Sequence, residues 1–245
     1  MEKKWFAASL ALLLTATVST GTAHAASAND QKGNGSSAKP VLVDRYEAPG
    51  TPNASVSTQR ASLDGVSCVW DPVTDPGYHT QTCYSNTTYD VVSSRILQYD
   101  ALPLTDQTPL ISVAKGQTKT LSTSQTKSST VTTKTTVSLP VLKVINLTLT
   151  RTETGTVTET YSTTTLYTGP DASSPYNTRT YWSAVTNDLY ELTVQQNDHY
   201  IVYVYANDGS QYPTYSYVKD VGVSRDVVQA YKPIIVTYST DQNVY

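Results

Sequence analysis

Few residues in this chain could carry a reaction. Beyond position 25, only His79 and His199 could exchange a proton near neutral pH, and they stand far apart in the sequence. No G-x-S-x-G elbow, H-E-x-x-H pair or phosphate-cradling glycine loop occurs. Glu153 and Glu159 share parity on one stretch but are too far apart along a strand for joint acid–base work. These missing signatures argue against an enzyme, and no cofactor is expected. Cys68 and Cys83 enclose a short loop with Trp70, two prolines and Gly77. In an oxidising compartment they read as a disulfide contributing about 3 kcal/mol through loop entropy. Buried free thiols are the alternative. A metal site is disfavoured, because only His79 lies between the cysteines and no Cys-x-x-Cys pair exists.

The most regular spacing belongs to hydroxyls. Thr148, Thr150, Thr152, Thr154, Thr156, Thr158, Thr160, Ser162 and Thr164 all fall on even positions. Upstream, Thr118, Thr120, Ser122, Ser124, Thr126, Ser128, Thr130, Thr132, Thr136 and Ser138 do the same, broken by Lys134. Successive side chains of a strand point to opposite faces, so each arm presents a hydroxyl ladder on one face. Each arm could extend about 20 residues, or roughly 65 Å. Between them, Leu139, Val141, Leu142, Val144, Ile145 and Leu147 form the most apolar stretch outside the N-terminal run.

The elements that position these arms are expected to be strands. Thr, Val, Tyr and Ser dominate, Tyr occurs 19 times, and no eleven-residue stretch shows a convincing helical period. The expected fold is all-β, an elongated antiparallel sheet with a long Ser/Thr-rich hairpin over 117–168. Residues 1–25 read as a secretory signal: Lys3 and Lys4, an apolar run from Trp5 to Val18, then Ala23-His24-Ala25, with cleavage near Ala25 and export. Residues 26–64 are rich in Ser, Ala, Pro, Gly and Asn and read as a flexible leader or propeptide. The all-β domain is then 65–245. Asp100 to Thr108 reads as a proline-interrupted loop, and the strands after Thr178 read as short, with a hairpin turn near Gly209. The net charge of −3 argues against nucleic acid, which needs a basic patch.

Two readings of the hairpin stand. Ser/Thr-rich strands occur as the solvated faces of soluble sheets. They also suit a transmembrane barrel, whose strands are proline-free and whose lumen face is polar. In that reading Thr130, Thr132, Thr136, Thr148, Thr150, Thr152 and Thr154 face the lumen, and the apolar bend from Leu139 to Leu147 is the tip that crosses first. Lys127, Arg151, Glu153 and Glu159 oppose lipid on the outer face and confine any span to the bend-proximal third. Tyr203, Tyr205, Tyr215 and Tyr217 crowd the turn near Gly209. They could stack on sugars or sit at a membrane interface, or serve simply as strand formers. Trp70 and Trp182 read as core residues.

The order of features resembles the aerolysin-like β-pore-forming proteins of the epsilon-toxin and mosquitocidal-toxin type. The resemblance lies in TKTLSTSQTKSSTVTTKTTV, the tip SLPVLKVI, the second arm NLTLTRTETGTVTETYSTTTL, the turn YTGP and the strands after Tyr181. It covers about 117–245. A single Pro170 stands where that family has a double proline, and no receptor-binding lobe is recognisable. The resemblance implies a soluble exported protein that oligomerises on a target-cell membrane, with a glycan or protein as a possible receptor.

Overall fold

The computed structural model describes residues 37–59, 68–72, 75–208 and 212–244. All of them belong to the second of two units, Ser36–Tyr245. The signal sequence and its cleavage point lie outside the described residues. Strand accounts for 65% of the structure and helix for 6%, which bears out the all-β expectation.

Three strands form the frame: β4 (Tyr78–Ala114), β10 (Thr178–Ala206) and β11 (Tyr215–Gln242). β10 lies centrally, antiparallel to β4 on one side and β11 on the other. The short strands expected from the turn signals are therefore joined into continuous ones. Asp100 to Thr108 is part of β4, not a loop. Its prolines are accommodated at register shifts against β10, where a missing N–H costs little. Asp100 and Asp106 take positive φ of 46° and 51° at these irregularities. Leu192, Ile234, Ile235 and Ala184 are almost wholly buried, so the core sits along β10 and the second half of β11.

The stretch 26–64 departs from the flexible-leader expectation within the described residues 37–59. β1 (Val41–Tyr46) pairs with β11, and β2 (Ser55–Gln59) pairs with β4. Val41, Leu42 and Val43 of β1 remain exposed, so its order comes chiefly from main-chain pairing at an open sheet edge, with Tyr46 and Val56 packed against the core. β3 (Cys68–Trp70) also pairs with β4, and Cys68 is bonded to Cys83 in register, as expected.

Residues 117–168 do not form one long hairpin. β5 (Thr118–Lys119) pairs with β9 (Tyr167–Thr168), and β6 (Gln125–Thr130) pairs with β8 (Thr156–Tyr161). β7 (Thr132–Thr133) joins the segment to β11 through Tyr231 and Ala230. Between β7 and β8 the chain forms a helix, α1 (Leu139–Thr150), where a bend between strands was expected. Pro140 starts it, and Arg151 ends it in the left-handed conformation with its N–H on the Leu147 carbonyl. The helix forms because Val141, Val144, Ile145, Thr148 and Leu149 make one stripe at helical spacing.

Candidate functional site

The hydroxyl-rich segment packs on both faces of the sheet. Val157 and Tyr161 of β8 bury against Tyr181 and Ile235. Val141, Val144, Ile145 and Leu149 of α1 bury against Val91, Leu192, Val194, Val228 and Ala230. Between these sites β10 and β11 pair without a bulge, and their buried residues differ in parity, so the two sites lie on opposite faces. The segment crosses the sheet edge at β7.

The expected tip residues are thus distributed by a helix. Val144 and Ile145 are fully buried, Val141 and Leu149 nearly so, Leu142 and Leu147 are half-buried, and Leu139 is exposed. Burial of each large side chain stabilises this packing by about 2 kcal/mol. The expected lumen hydroxyls are split likewise. Thr130, Thr132 and Thr136 are exposed, and so are Thr152 and Thr154 beyond the helix. Thr148 and Thr150 are buried in α1, where each hydroxyl donates to a carbonyl one turn back, Val144 O and Asn146 O, both at 2.8 Å. No single face collects these hydroxyls in this state.

Within β6 and β8 the alternation survives. Thr126, Ser128, Thr158 and Thr160 point to solvent, while Lys127, Val157 and Tyr161 point inward. Lys127 is buried against Thr108 Oγ1 and Asp106 Oδ2, both at 2.8 Å, and also donates to the Asp106 carbonyl. Burial and the nearby Asp44 charge raise the Glu159 carboxyl above its ordinary value. Lys143 pairs with Glu153 at 2.8 Å. Inside the turn after α1, Asn146 Nδ2 donates to Glu153 O at 2.8 Å, while its buried Oδ1 lacks a partner. Gly155, at φ 68°, passes so close that a Cβ would lie 2.5 Å from that oxygen.

One geometric fact unites the two small sheets. From Thr126↔Thr160, equal steps outward along both arms reach Thr118↔Thr168, the observed pair of β5 and β9. Both sheets are therefore pieces of a single hairpin register. Val131 N donates to Gly155 O at 2.9 Å and carries that register one pair further inward. Equal steps continued from there would place Leu139 opposite Leu147 and Lys143 at the turn.

The tyrosines near the far end do not form one cluster. In-register partners share a face, so Tyr215 goes with Val204 and Tyr217 with Val202, while Tyr203 and Tyr205 point to the other side. Tyr205 instead joins a trio that the sequence did not reveal. Its ring stacks on His79 at 5.3 Å, and Trp70 packs against both at 5.0 and 5.2 Å. Trp70 is 54% exposed, contrary to its expected place in the core. Trp182 is partly buried and stacks on Tyr238. His199 lies within β10, 2.5 Å from Asp220, and far from His79 along the strands.

No family model matches this chain, and neither a curated protein nor a solved structure matches it.

Proposed function

We propose that this chain is a secreted β-pore-forming protein, a toxin or antimicrobial, that oligomerises on a target membrane and inserts the 117–168 segment as a hairpin. The observation carrying this reading is the single register shared by β5–β9 and β6–β8. If α1 unwinds and the register closes through it, all even positions share one face. Thr130, Thr132 and Thr136 then lie opposite Thr156, Thr154 and Thr150, a hydroxyl lining for a water-filled lumen. Val137, Leu139 and Val141 lie opposite Leu149, Leu147 and Ile145 on the other face, which suits lipid. Arg151 and Glu153 come above that apolar band, where charge is least costly. The stored form keeps the same residues in a helix because apolar side chains need cover in water. Unwinding α1 gives up that packing, and contact with hydrocarbon replaces it.

The test is a tether. Thr133 and Ala230 are register partners on β7 and β11, at a spacing suited to a disulfide. The double variant Thr133→Cys/Ala230→Cys is expected to release no calcein from phosphatidylcholine vesicles when oxidised. It should regain release once that bond is reduced. Equal release in both states would sink the reading.

A second reading, a surface protein that binds carbohydrate without acting on membranes, draws on one feature. Trp70 presents an open ring on a strand fixed by the Cys68–Cys83 bond, with polar groups of His79, Gln81 and Asn207 nearby. Aromatic rings of this kind stack on sugar faces. Binding to immobilised glycans that Trp70→Ala abolishes, together with no vesicle leakage, would favour it. Binding and leakage together would make this end the receptor contact of the pore former.

A further inference from the structure

We infer that residues 47–54 are a belt that clamps α1 against the sheet and must open before the helix can leave. The sheet order requires such a crossing. β1 is bonded to β11 at one side of the three long strands, and β2 is bonded to β4 at the other. The chain between them has to cross the width of the sheet. Ala48 still packs with Val157, Tyr161, Tyr181 and Ile235, and from Gly50 onward the chain runs on the face where α1 lies, against the last turn of the helix. Ala54 is buried in the same cluster as Val141, Val144, Ile145 and Leu149.

The belt touches the helix at its C-terminal end. The last carbonyls of a helix have no partner within it. Thr51 N donates to Leu147 O and Thr148 O at 3.1 and 3.0 Å, and Arg151 Nε donates back to Gly50 O at 3.0 Å. Gly50 makes this approach possible. A Cβ there would stand 2.0 Å from Thr148 O. Its φ is not positive, so glycine serves here for space and not for backbone conformation.

The belt is anchored at its start by two charge pairs. Arg45 Nη2 reaches both oxygens of Asp188 at 2.8 Å, and Asp188 is fully buried. Lys232 Nζ, on a side chain 5% exposed, donates to Glu47 Oε1 at 2.6 Å. Two buried charges of the body thus take their partners from the N-terminal segment. At its other end, Val91 N donates to Ala54 O at 3.2 Å, where β2 begins. The 26–64 stretch, which reads in sequence as a flexible leader, supplies the lock on the segment that reads as the inserting element.

This inference rests on the pore reading only for the fate of the helix after release, and amide hydrogen exchange separates the two. Gly50→Ala should push the belt off Thr148. Amides of Ile145 to Arg151 are expected to exchange about tenfold faster, while those of Tyr181 to Ala184 stay unchanged. Unchanged exchange in α1 would overturn the belt. If Gly50→Ala speeds exchange everywhere, Arg151→Ala decides by the same comparison, since it removes one contact with the belt. Its expected effect is about threefold, confined to α1. Calcein release from phosphatidylcholine vesicles is then measured on the same variants. Faster exchange with faster release supports both ideas. Faster exchange with no release from any variant leaves the belt standing and removes the pore reading.

Discussion

β10 and the 117–168 segment draw on the same alphabet, Thr, Val, Tyr and Ser in alternation, yet one is a continuous strand and the other is broken into short strands and a helix. The difference lies in what each side chain finds to cover it. β10 places Leu192, Val194, Val202 and Val204 inward and is paired along both edges. The arms of the hydroxyl segment have few apolar groups to bury, and their pairing holds only where Val131, Val157, Tyr161 and Tyr167 find a surface. At the apolar centre, a helix gives Val144, Ile145 and Leu149 one common face, which a strand would divide between two. The lesson is that alternation specifies faces, while apolar size decides whether those faces stay in a strand.

The largest expected effect concerns α1. Ile145→Ala removes a wholly buried side chain and should cost about 3 kcal/mol in urea unfolding, whereas Val218→Ala, on the exposed part of β11, should stay within about 0.5 kcal/mol. A cost for Ile145→Ala as small as that for Val218→Ala would mean that the helix is not core. The tip therefore cannot be tested by replacing Val141, Leu142, Val144 and Ile145 with Ser while keeping the fold.

Next come two glycines with positive φ. Gly155→Ala adds a clash with Asn146 to the backbone strain and should cost about 2 kcal/mol. Gly116→Ala, at φ 70° with open space around it, should cost about 1 kcal/mol. Equal costs would show that Asn146 yields freely.

Lys127→Met should change stability by no more than about 1 kcal/mol. Its partner Asp106 is 63% exposed and remains hydrated when the lysine is lost. A large loss would show that the β6–β8 pair is held by charge more than by Val157 and Tyr161.

The smallest effect is a pH response of opposite sign at the belt and at β8. Burial alone would raise the Glu47 carboxyl, but hydrogen bonds from Lys232 and Tyr190 and the charges of Lys232 and Arg45 hold it below its ordinary value. Its contribution is present above the unfolded carboxylate value and is lost as pH falls through the lower folded one. Glu159 is raised, so its contribution is present below the unfolded value and is lost as pH rises through the folded one. Acidification should loosen the belt and tighten β8. Exchange rates corrected for intrinsic pH dependence, with Glu47→Gln and Glu159→Gln as controls, check both signs.

Legibility differed between the elements for identifiable reasons. The strand class and the Cys68–Cys83 bond followed from composition and short spacing. The helical stripe of α1 was present in the sequence, but Thr148 and Thr150 also continue the even-numbered ladder, and parity matched more residues than the helical period did. The buried threonines are tolerated there because each hydroxyl returns its bond to its own helix. β1 and β2 were hard to read because the apolar run Val41 to Val43 is short and sits in a Ser-, Pro- and Gly-rich stretch, and edge pairing needs backbone groups more than side chains. Trp70 looked like a core residue because nothing local indicates that β3 lies beside β4 with the ring outward.

By itself, then, the sequence determined which side chains share a face within β6 and β8, because strand parity is a local property. It also determined that the arms are centred on the apolar stretch around Lys143. Tertiary structure alone decided that this centre is a helix, that it is clamped by a belt from the N-terminal segment, and that the arms meet only in pieces. Those outcomes depend on which distant surfaces are available to cover Val144, Ile145 and Leu149, and no local pattern encodes a partner many residues away.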